Sequence, residues 1–271
     1  MKLLARILLV MFVLGSSGVL LALQGDQIQF YHSEEGPASN EKAEFAFTRL
    51  RYPTKGYGGG YRGFSGFSSF RPNNGWSEDY PKADRQFVEG VVRLTRVNAR
   101  SYQEVVDPET EDLFDWPWMY AVNVANWDFT PEQAARLREY LLKGGFLVVD
   151  SIHGSAEWPA FLAGMHKIFP DRLIEDVPDT DDIFHVLYDL NQKFQVPGYQ
   201  YMSTGRTYEM DGFDPTWRAI RDDQGRIMVL IGYNMHIGDA WEHADEPWWP
   251  ERFSSLAYRL GINYIIYSMT H

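Results

Sequence analysis

The sequence predicts an α/β protein with a mainly parallel sheet, and two features of the chain carry this prediction. From Ala43 onward, strand-like and helix-like stretches alternate along the chain. In the middle, a helix with clear end signals is followed at once by FLVV, an apolar run typical of a strand buried on both faces of a parallel sheet. The preceding strand, the helix and this strand form a βαβ unit.

The first elements are predicted from alternating and helical patterns. The stretch EFAFTRLRY places Phe45, Phe47 and Arg49 at alternate positions, which predicts an opening strand over Glu44 to Tyr52. Two further strands are predicted over SYQEVV and over WMYAVNV. Between them and the first strand, apolar residues at helical spacing predict a helix after Pro81: Phe87, Val91, Leu94 and Val97.

The helix predicted over Pro131 to Lys143 has the clearest signals in the chain. Thr130 is suited to the N-cap, Gln133 completes a capping box, and Pro131 takes the first helical position. Gly144 supplies the left-handed residue that commonly ends a helix. One apolar stripe faces the expected sheet: Ala134, Leu137 and Leu141.

The second half of the chain adds two helices and a hairpin. EWPAFLAGMHKIF and the C-terminal ERFSSLAYRLGINYIIYSMTH both show helical apolar stripes, and Arg259 interrupts the second, which is too short for a confident membrane span. A hairpin is predicted with its turn at Asp222 to Gly225 and a buried strand from Ile227 to Ile231.

The N-terminal segment differs from the rest of the chain. Lys2 and Arg6 precede an apolar run from Ile7 to Leu23, which is the pattern of an export signal. The cleavage site is weak, and about 20 apolar residues would also span a bilayer, so a cleaved signal and an uncleaved membrane anchor both stay open. We therefore expect an exported, periplasmic or otherwise extracytoplasmic protein. Its parts would be a signal or anchor over residues 1–24, a flexible linker over 25–42 and one α/β domain over 43–271.

Charge and cysteine content exclude several classes of function. Without Lys2 and Arg6, the chain has 23 basic and 37 acidic residues, a balance of −14. Such a surface disfavours nucleic acid and anionic membranes as partners, so contact with a membrane would come only through an uncleaved N-terminal segment. The chain has no cysteine, which excludes a thiolate nucleophile and cysteine-based metal sites.

A glycine-rich loop follows the first predicted strand. It holds seven glycines between Gly56 and Gly75, but it lacks the Gly-Lys-Ser/Thr ending and the glycine spacing of nucleotide-binding loops. We therefore favour a mobile loop or lid at the sheet edge over a phosphate cradle. Its aromatic residues could stack on a sugar or an aromatic ligand: Tyr57, Tyr61, Phe64, Phe67, Phe70 and Trp76.

The turn DSIHG lies where ligands bind in open α/β sheets, outside the carboxyl end of a parallel strand. Ser151 is a poor candidate nucleophile, because a nucleophile elbow needs small residues beside the serine and Asp150 and Ile152 are larger. Asp150 is expected either to cap the next helix or to serve a site. His153 is either a hydrogen-bonded turn residue or a ligand.

The segment HIGDAWEHAD carries the densest group of reactive side chains, after the predicted strand Ile227 to Ile231. If it becomes helical after Gly238, then Asp239, Glu242 and His243 share one face. This spacing indicates a possible divalent-metal or acid/base cluster, although it lacks the His-Glu-x-x-His pattern of zinc proteases. A solvated acidic helix start is the alternative.

Segments along nearly the whole chain after Glu44 resemble one family, the domain of unknown function numbered 4159. They include WSEDYPKADRQF, LREYLLKGGFLVVDSIHG, IFHVLYDL, GRIMVLIGYNMHIGDAWEHAD and AYRLGINYIIYSMTH. The resemblance implies an N-terminal signal or membrane segment. It also implies a three-layer α/β/α sandwich that is flavodoxin-like and similar to class I glutamine amidotransferases. No activity is implied by it.

The resemblance also implies what the strand ends do. In amidotransferase-like proteins, a nucleophilic cysteine lies about where this chain has Asp150 and Ser151, and a partner histidine lies close to the place of His236. The resemblance implies an acidic pair at the first place and often an acid at the second, which argues against a Ser–His hydrolase. It favours a carboxylate-rich pocket of Asp150, Asp239 and Glu242.

Two functions follow as expectations. The first is an exported or anchored domain that binds a small polar ligand, a glycan or a protein partner at the carboxyl ends of the strands, without cysteine-based amidotransferase chemistry and without a required cofactor. The second is a hydrolase, with or without the assistance of a divalent metal. Its catalytic residues would come from one set: Asp150, His153, His236, Asp239 and Glu242.

Overall fold

The alternating pattern folds into one seven-stranded, mostly parallel sheet. The computed structural model describes residues 42–54 and 75–271. Strands β1 to β7 lie in the order β2-β1-β3-β4-β7-β6-β5, and only β6 runs antiparallel to its neighbours. Their bounds are Thr48–Leu50, Glu104–Val106, Trp118–Val122, Phe146–Ile152, Glu175–Asp176, Thr216–Arg221 and Ile227–Tyr233.

Helices pack on both faces of this sheet. Helices α1, α5 and α6 share one apolar core with the sheet, and α2 and α3 share the other. The described ranges thus hold a mixed α/β architecture with six α-helices, which confirms the predicted α/β class. The helix bounds, from α1 to α6, are Lys82–Leu94, Pro131–Leu142, Gly154–Ile168, Gln200–Thr204, Ile237–Glu242 and Glu251–Thr270.

Most elements form where their local signals predict them. The Thr130 side chain accepts from the Gln133 amide and the reciprocal bond is present, so the capping box of α2 is confirmed. Gly144 has a φ of +113°, as expected for a helix end. The predicted hairpin is β6–β7, and the C-terminal helix is α6. Within the described ranges, no helix is long and apolar enough to cross a membrane.

Two predicted elements are shorter than expected. Helix α1 ends at Leu94, which is 54% exposed, and Val97 lies beyond the helix, where it packs half-buried against the core. Strand β1 covers only three residues, and Phe45 before it forms a single bridge to Ala99. The predictions for the N-terminal segment, for residues 25–41 of the linker and for residues 55–74 of the glycine-rich loop fall outside the described residues.

The sheet brings four strand ends to one edge. β1, β3, β4 and β7 are parallel, so their carboxyl ends lie together. At this edge, two backbone hydrogen bonds outside the regular ladder join the ends of β4 and β7. The Ser151 amide donates to the Met235 carbonyl, and the Asn234 amide donates to the Ile152 carbonyl. Ser151 and Asn234 both have left-handed backbone conformations, with φ of +58° and +61°. Such conformations persist only where the surroundings enforce them.

Candidate functional site

Asp150, at the end of β4, is a buried acceptor that fixes the start of α5. Its Oδ2 accepts from the Tyr120 hydroxyl at 2.8 Å and from the backbone amides of Ile237 and Gly238 at 2.8 and 3.1 Å. Burial raises the pKa of Asp150 above its usual range. Asp150 therefore does cap a helix, but the helix lies after β7 rather than directly after β4.

Helix α3, which does follow β4 directly, is capped by other residues. The Asn234 side chain accepts from the Gly154 amide at 2.9 Å, and the Asp211 side chain accepts from the Ser155 amide at 2.8 Å. The expectation that Asp150 would cap this nearest helix is thus wrong, because both of its first amides are already bound. Asp150 instead ties the ends of β4 and β7 together.

His236 lies between two carboxylates in the interior. Its Nε2 is 2.8 Å from Asp79 Oδ2, and its Nδ1 is 3.1 Å from Asp239 Oδ2. Burial alone would lower the pKa of His236, but the charges of Asp239 and Asp79 raise it well above its usual value. His236 is therefore an imidazolium at neutral pH, donating both N–H groups. It lowers the pKa of Asp239 in spite of burial, which acts the other way.

The turn that carries Asp79 is held by a buried arginine on β1. Arg49 Nη1 donates to the carbonyls of Trp76 at 3.0 Å and Glu78 at 2.8 Å, and Arg49 Nε donates to Asp84 Oδ2 at 2.9 Å. Both side chains of the Arg49–Asp84 pair are fully buried. Charges in the interior need such pairing and additional hydrogen bonds. This pair anchors Asp79 beside α5.

Gly238 is required where α5 meets this centre. A Cβ at Gly238 would lie 2.6 Å from Asp79 Oδ2 and 2.7 Å from the Tyr120 hydroxyl. Since real Cβ atoms do not approach that closely, only glycine allows the helix to start against both groups.

His153, between β4 and α3, has a buried imidazole ring. It is 4% exposed, and among the described residues neither ring nitrogen has a hydrogen-bond partner. Its Nε2 faces Glu209 Oε1 at 3.8 Å. Burial, with a contribution from the charge of His236, lowers the pKa of His153 to about 3, so the ring is neutral. A neutral imidazole offers one donor and one acceptor, and leaving both unpaired inside a protein is unfavourable.

Three glutamates near His153 or His236 hold their protons more tightly than usual. Burial, reinforced by neighbouring carboxylates, raises the pKa of Glu78 to about 8 and that of Glu157 to about 7. Burial also raises the pKa of Glu209. Glu157 accepts a hydrogen bond from the backbone amide of His153 at 2.7 Å. The site therefore has a surplus of carboxyl groups and, in His236, a buried cation that is already paired.

Three side-chain oxygens crowd over Gly198. A Cβ at Gly198 would lie 2.7 Å from Gln200 Oε1, 2.9 Å from Asp239 Oδ2 and 3.0 Å from Glu209 Oε1. The neighbouring amide of Tyr199 donates to Asp239 Oδ2 at 2.6 Å. The loop before α4 thus brings hydrogen-bond acceptors from three parts of the chain together.

The other side of Asp239 faces the end of α5. His243 Nε2 lies 3.8 Å from Asp239 Oδ1 and 3.4 Å from Glu242 Oε2. One ligand atom from each of the three residues lies within 4.8 Å of the others, so they could hold a metal ion. Burial lowers the pKa of His243, which keeps its lone pair available. Asp79, His236 and Asp239 are equally close, but the imidazolium occupies both carboxylates.

The five residues predicted from the sequence lie along one edge of the sheet. Asp150, His236 and Asp239 are joined by hydrogen bonds through the start of α5, Glu242 lies one turn further on, and His153 approaches from β4. Sequence reasoning missed several residues that complete the site: Arg49, Asp79, Tyr120, Glu157, Gln200 and Glu209. One signal was present, since Arg49 alternates with Phe45 and Phe47, and an arginine on an apolar face requires a buried acid.

The fold and the site define an α/β protein with a buried histidine–carboxylate centre at the carboxyl edge of its sheet. Residues 66–269 match the family model described as "Domain of unknown function (DUF4159)". The match covers most of the chain, and the protein belongs to this family. No curated protein matches the chain.

Proposed function

We propose that the domain binds a small polar ligand at the carboxyl ends of β4 and β7, without cysteine-based chemistry. The observation that carries this proposal is His153. Within the described part of the chain, neither nitrogen of this neutral, buried imidazole has a hydrogen-bond partner, which is costly unless something else bonds to it, and Glu209 Oε1 is too distant at 3.8 Å. A ligand that reaches His153 and Glu209 would satisfy both groups.

Binding fits the geometry better than hydrolysis by the predicted residues. A general base needs a free lone pair, but His236 is protonated and both its nitrogens are engaged by carboxylates. Asp150 is 1% exposed, and its Oδ2 already accepts three hydrogen bonds. These two residues stabilise the site rather than act on a substrate.

We also propose the finer fold assignment and the location that the sequence suggests. The order β2-β1-β3-β4-β7 corresponds to the flavodoxin-like order 2-1-3-4-5, with the β6–β5 pair added beyond β7. This supports a flavodoxin-like fold similar to class I glutamine amidotransferases, with Asp150 and Ser151 in place of the nucleophile. The basic and apolar pattern of residues 1–24 supports export, with a cleaved signal or a membrane anchor.

A divalent metal ion bound by Asp239, Glu242 and His243 is the second candidate. The separations of 3.4 and 3.8 Å from His243 Nε2 suit donor atoms that share one ion at about 2.0–2.2 Å from each. The hydrogen bonds of Asp239 Oδ2 to His236 and Tyr199 would orient this carboxylate, as partners of metal ligands usually do. A metal there would support the hydrolase alternative by activating water.

Binding to the full chain tests the proposal. Thermal shift and calorimetry with sugars, small amines and divalent ions should identify at least one class of ligand whose binding His153→Leu abolishes while the fold is kept. His166→Leu, at an exposed histidine of α3, is the matched control and should leave binding unchanged. If no class binds, or if His153→Leu binds as well as the unaltered chain, the proposal is wrong.

Metal analysis separates the second candidate from the first. If Asp239, Glu242 and His243 bind a metal ion, the purified protein should take up Zn²⁺ or Mn²⁺ with a stoichiometry near one. His243→Asn should abolish this uptake, and His166→Asn should not. Uptake that survives His243→Asn would place the ion elsewhere.

A further inference from the structure

We infer that the ligand of this site is a small organic cation, a compound with a protonated amino group beside a short carbon skeleton. The inference rests on the proposed binding at His153 and Glu209, and it specifies the chemical class. It depends on which groups surround the binding position, on their charge, and on the aromatic side chains next to them.

Three side-chain oxygens, each a hydrogen-bond acceptor, converge here. Gln200 Oε1, Asp239 Oδ2 and Glu209 Oε1 all approach within 3.0 Å of the Cβ position of Gly198, and His153 Nε2 lies 3.8 Å from Glu209. Asp239 Oδ2 already accepts from Tyr199 and His236, so it contributes mainly charge. An ammonium group has three donors and no acceptor, which complements Glu209, Gln200 and His153.

The charge of the site selects a cation over a neutral or anionic ligand. Burial holds the proton of Glu78, whose pKa is about 8, and partly that of Glu157, whose pKa is about 7, so the negative charge that faces a ligand beside His153 comes from Glu209 rather than from these two glutamates. His236 balances part of this charge, but it is already bound to Asp79 and Asp239. Hydrogen bonds between a charged donor and a carboxylate are about twice as strong as neutral ones.

Aromatic rings beside the acceptors favour an organic cation over a bare metal ion. Tyr199 follows Gly198 directly and is 52% exposed, and Trp248, 42% exposed, packs against it with ring centroids 5.9 Å apart at 90°. The backbone amide of Tyr199 donates to Asp239 Oδ2, and its ring packs against His243 with centroids 5.3 Å apart. Aromatic faces attract the polarised carbons next to an ammonium group, and a hydrated inorganic ion gains little from them.

A matched pair of probes tests the inference on the full chain. In calorimetry, 1,4-diaminobutane should bind and 1,4-butanediol, with hydroxyl groups in place of both amines, should not. Glu209→Gln keeps the shape and removes the charge, so we expect affinity for the diamine to fall about tenfold to a hundredfold. Tyr199→Ala should reduce affinity by about two- to fivefold through the lost ring face.

Controls separate specific binding from attraction to an acidic surface. Asp112→Asn removes an exposed carboxylate from the 3₁₀ helix Glu111–Asp115 and should leave diamine affinity unchanged. Equal losses from Asp112→Asn and Glu209→Gln would overturn the inference. Diol or sugar binding that requires His153, without diamine binding, would also overturn it while leaving the proposed function intact. If no probe binds, both fail.

Discussion

Replacing Asp150 by alanine tests whether this carboxylate is a structural cap. The substitution would leave three buried donors without their acceptor: the Tyr120 hydroxyl and the amides of Ile237 and Gly238. Each unpaired buried donor costs about 1–3 kcal/mol. Because one acceptor serves all three, and because burying the carboxylate is itself unfavourable, we expect a loss of about 3–5 kcal/mol in the free energy of unfolding.

Urea unfolding followed by tryptophan fluorescence measures this loss. Asp150→Asn keeps one acceptor oxygen and should cost less, about 1–2 kcal/mol. Asp211→Ala is the matched control, since Asp211 also accepts from an amide at a helix start but is exposed; its loss should be near 1 kcal/mol. A loss below about 1 kcal/mol for Asp150→Ala, together with abolished ligand binding, would refute the structural role and indicate that Asp150 contacts the ligand.

Three further predictions follow from the same contacts. Burial raises the pKa of Glu157 from 4.5 to about 7, so the folded state binds this proton more tightly than the unfolded chain and stability should fall as pH rises through that interval. The urea midpoint should decrease less from pH 5 to pH 8 in Glu157→Gln than in the unaltered chain, and an equal decrease would contradict this. Gly238→Ala should lower the melting temperature by pushing α5 away from Asp79, and an unaltered melting curve would show that the helix start can shift freely. Arg49→Met should cost about 3–5 kcal/mol, and adding Asp84→Leu should recover much of it; a double variant as unstable as the single one would contradict the paired-charge account.

The elements of the fold were predictable because their signals are local. The capping box at Thr130, the apolar run of β4 and the turn before Ile227 each lie within a few residues of the structure they specify. Errors occurred where burial depends on packing. Leu94 fits the helical spacing of α1, yet α1 ends there and the side chain is exposed, which spacing alone does not reveal.

The site was predictable only in part, because its residues come from distant segments. The strand-end rule placed Asp150, His153 and His236 at one edge. Asp79 and Glu209 lie in loops, where a carboxylate has the same sequence appearance whether it is solvated or buried. The position of Asp79 depends on Arg49, 30 residues earlier in the numbering, through the bonds of that arginine to the carbonyls of Trp76 and Glu78.

His236, which is paired with Asp79 and Asp239, makes contacts that affect the order of folding. Its bond to Asp79 closes a loop of 157 residues, and the bond from Ile237 to Asp150 closes one of 87. β7 is an interior strand, paired with the central β4, although it is the last described strand in the chain. During synthesis, β4 must therefore wait with one edge unpaired until the hairpin emerges, and the candidate site forms among the last contacts of the domain.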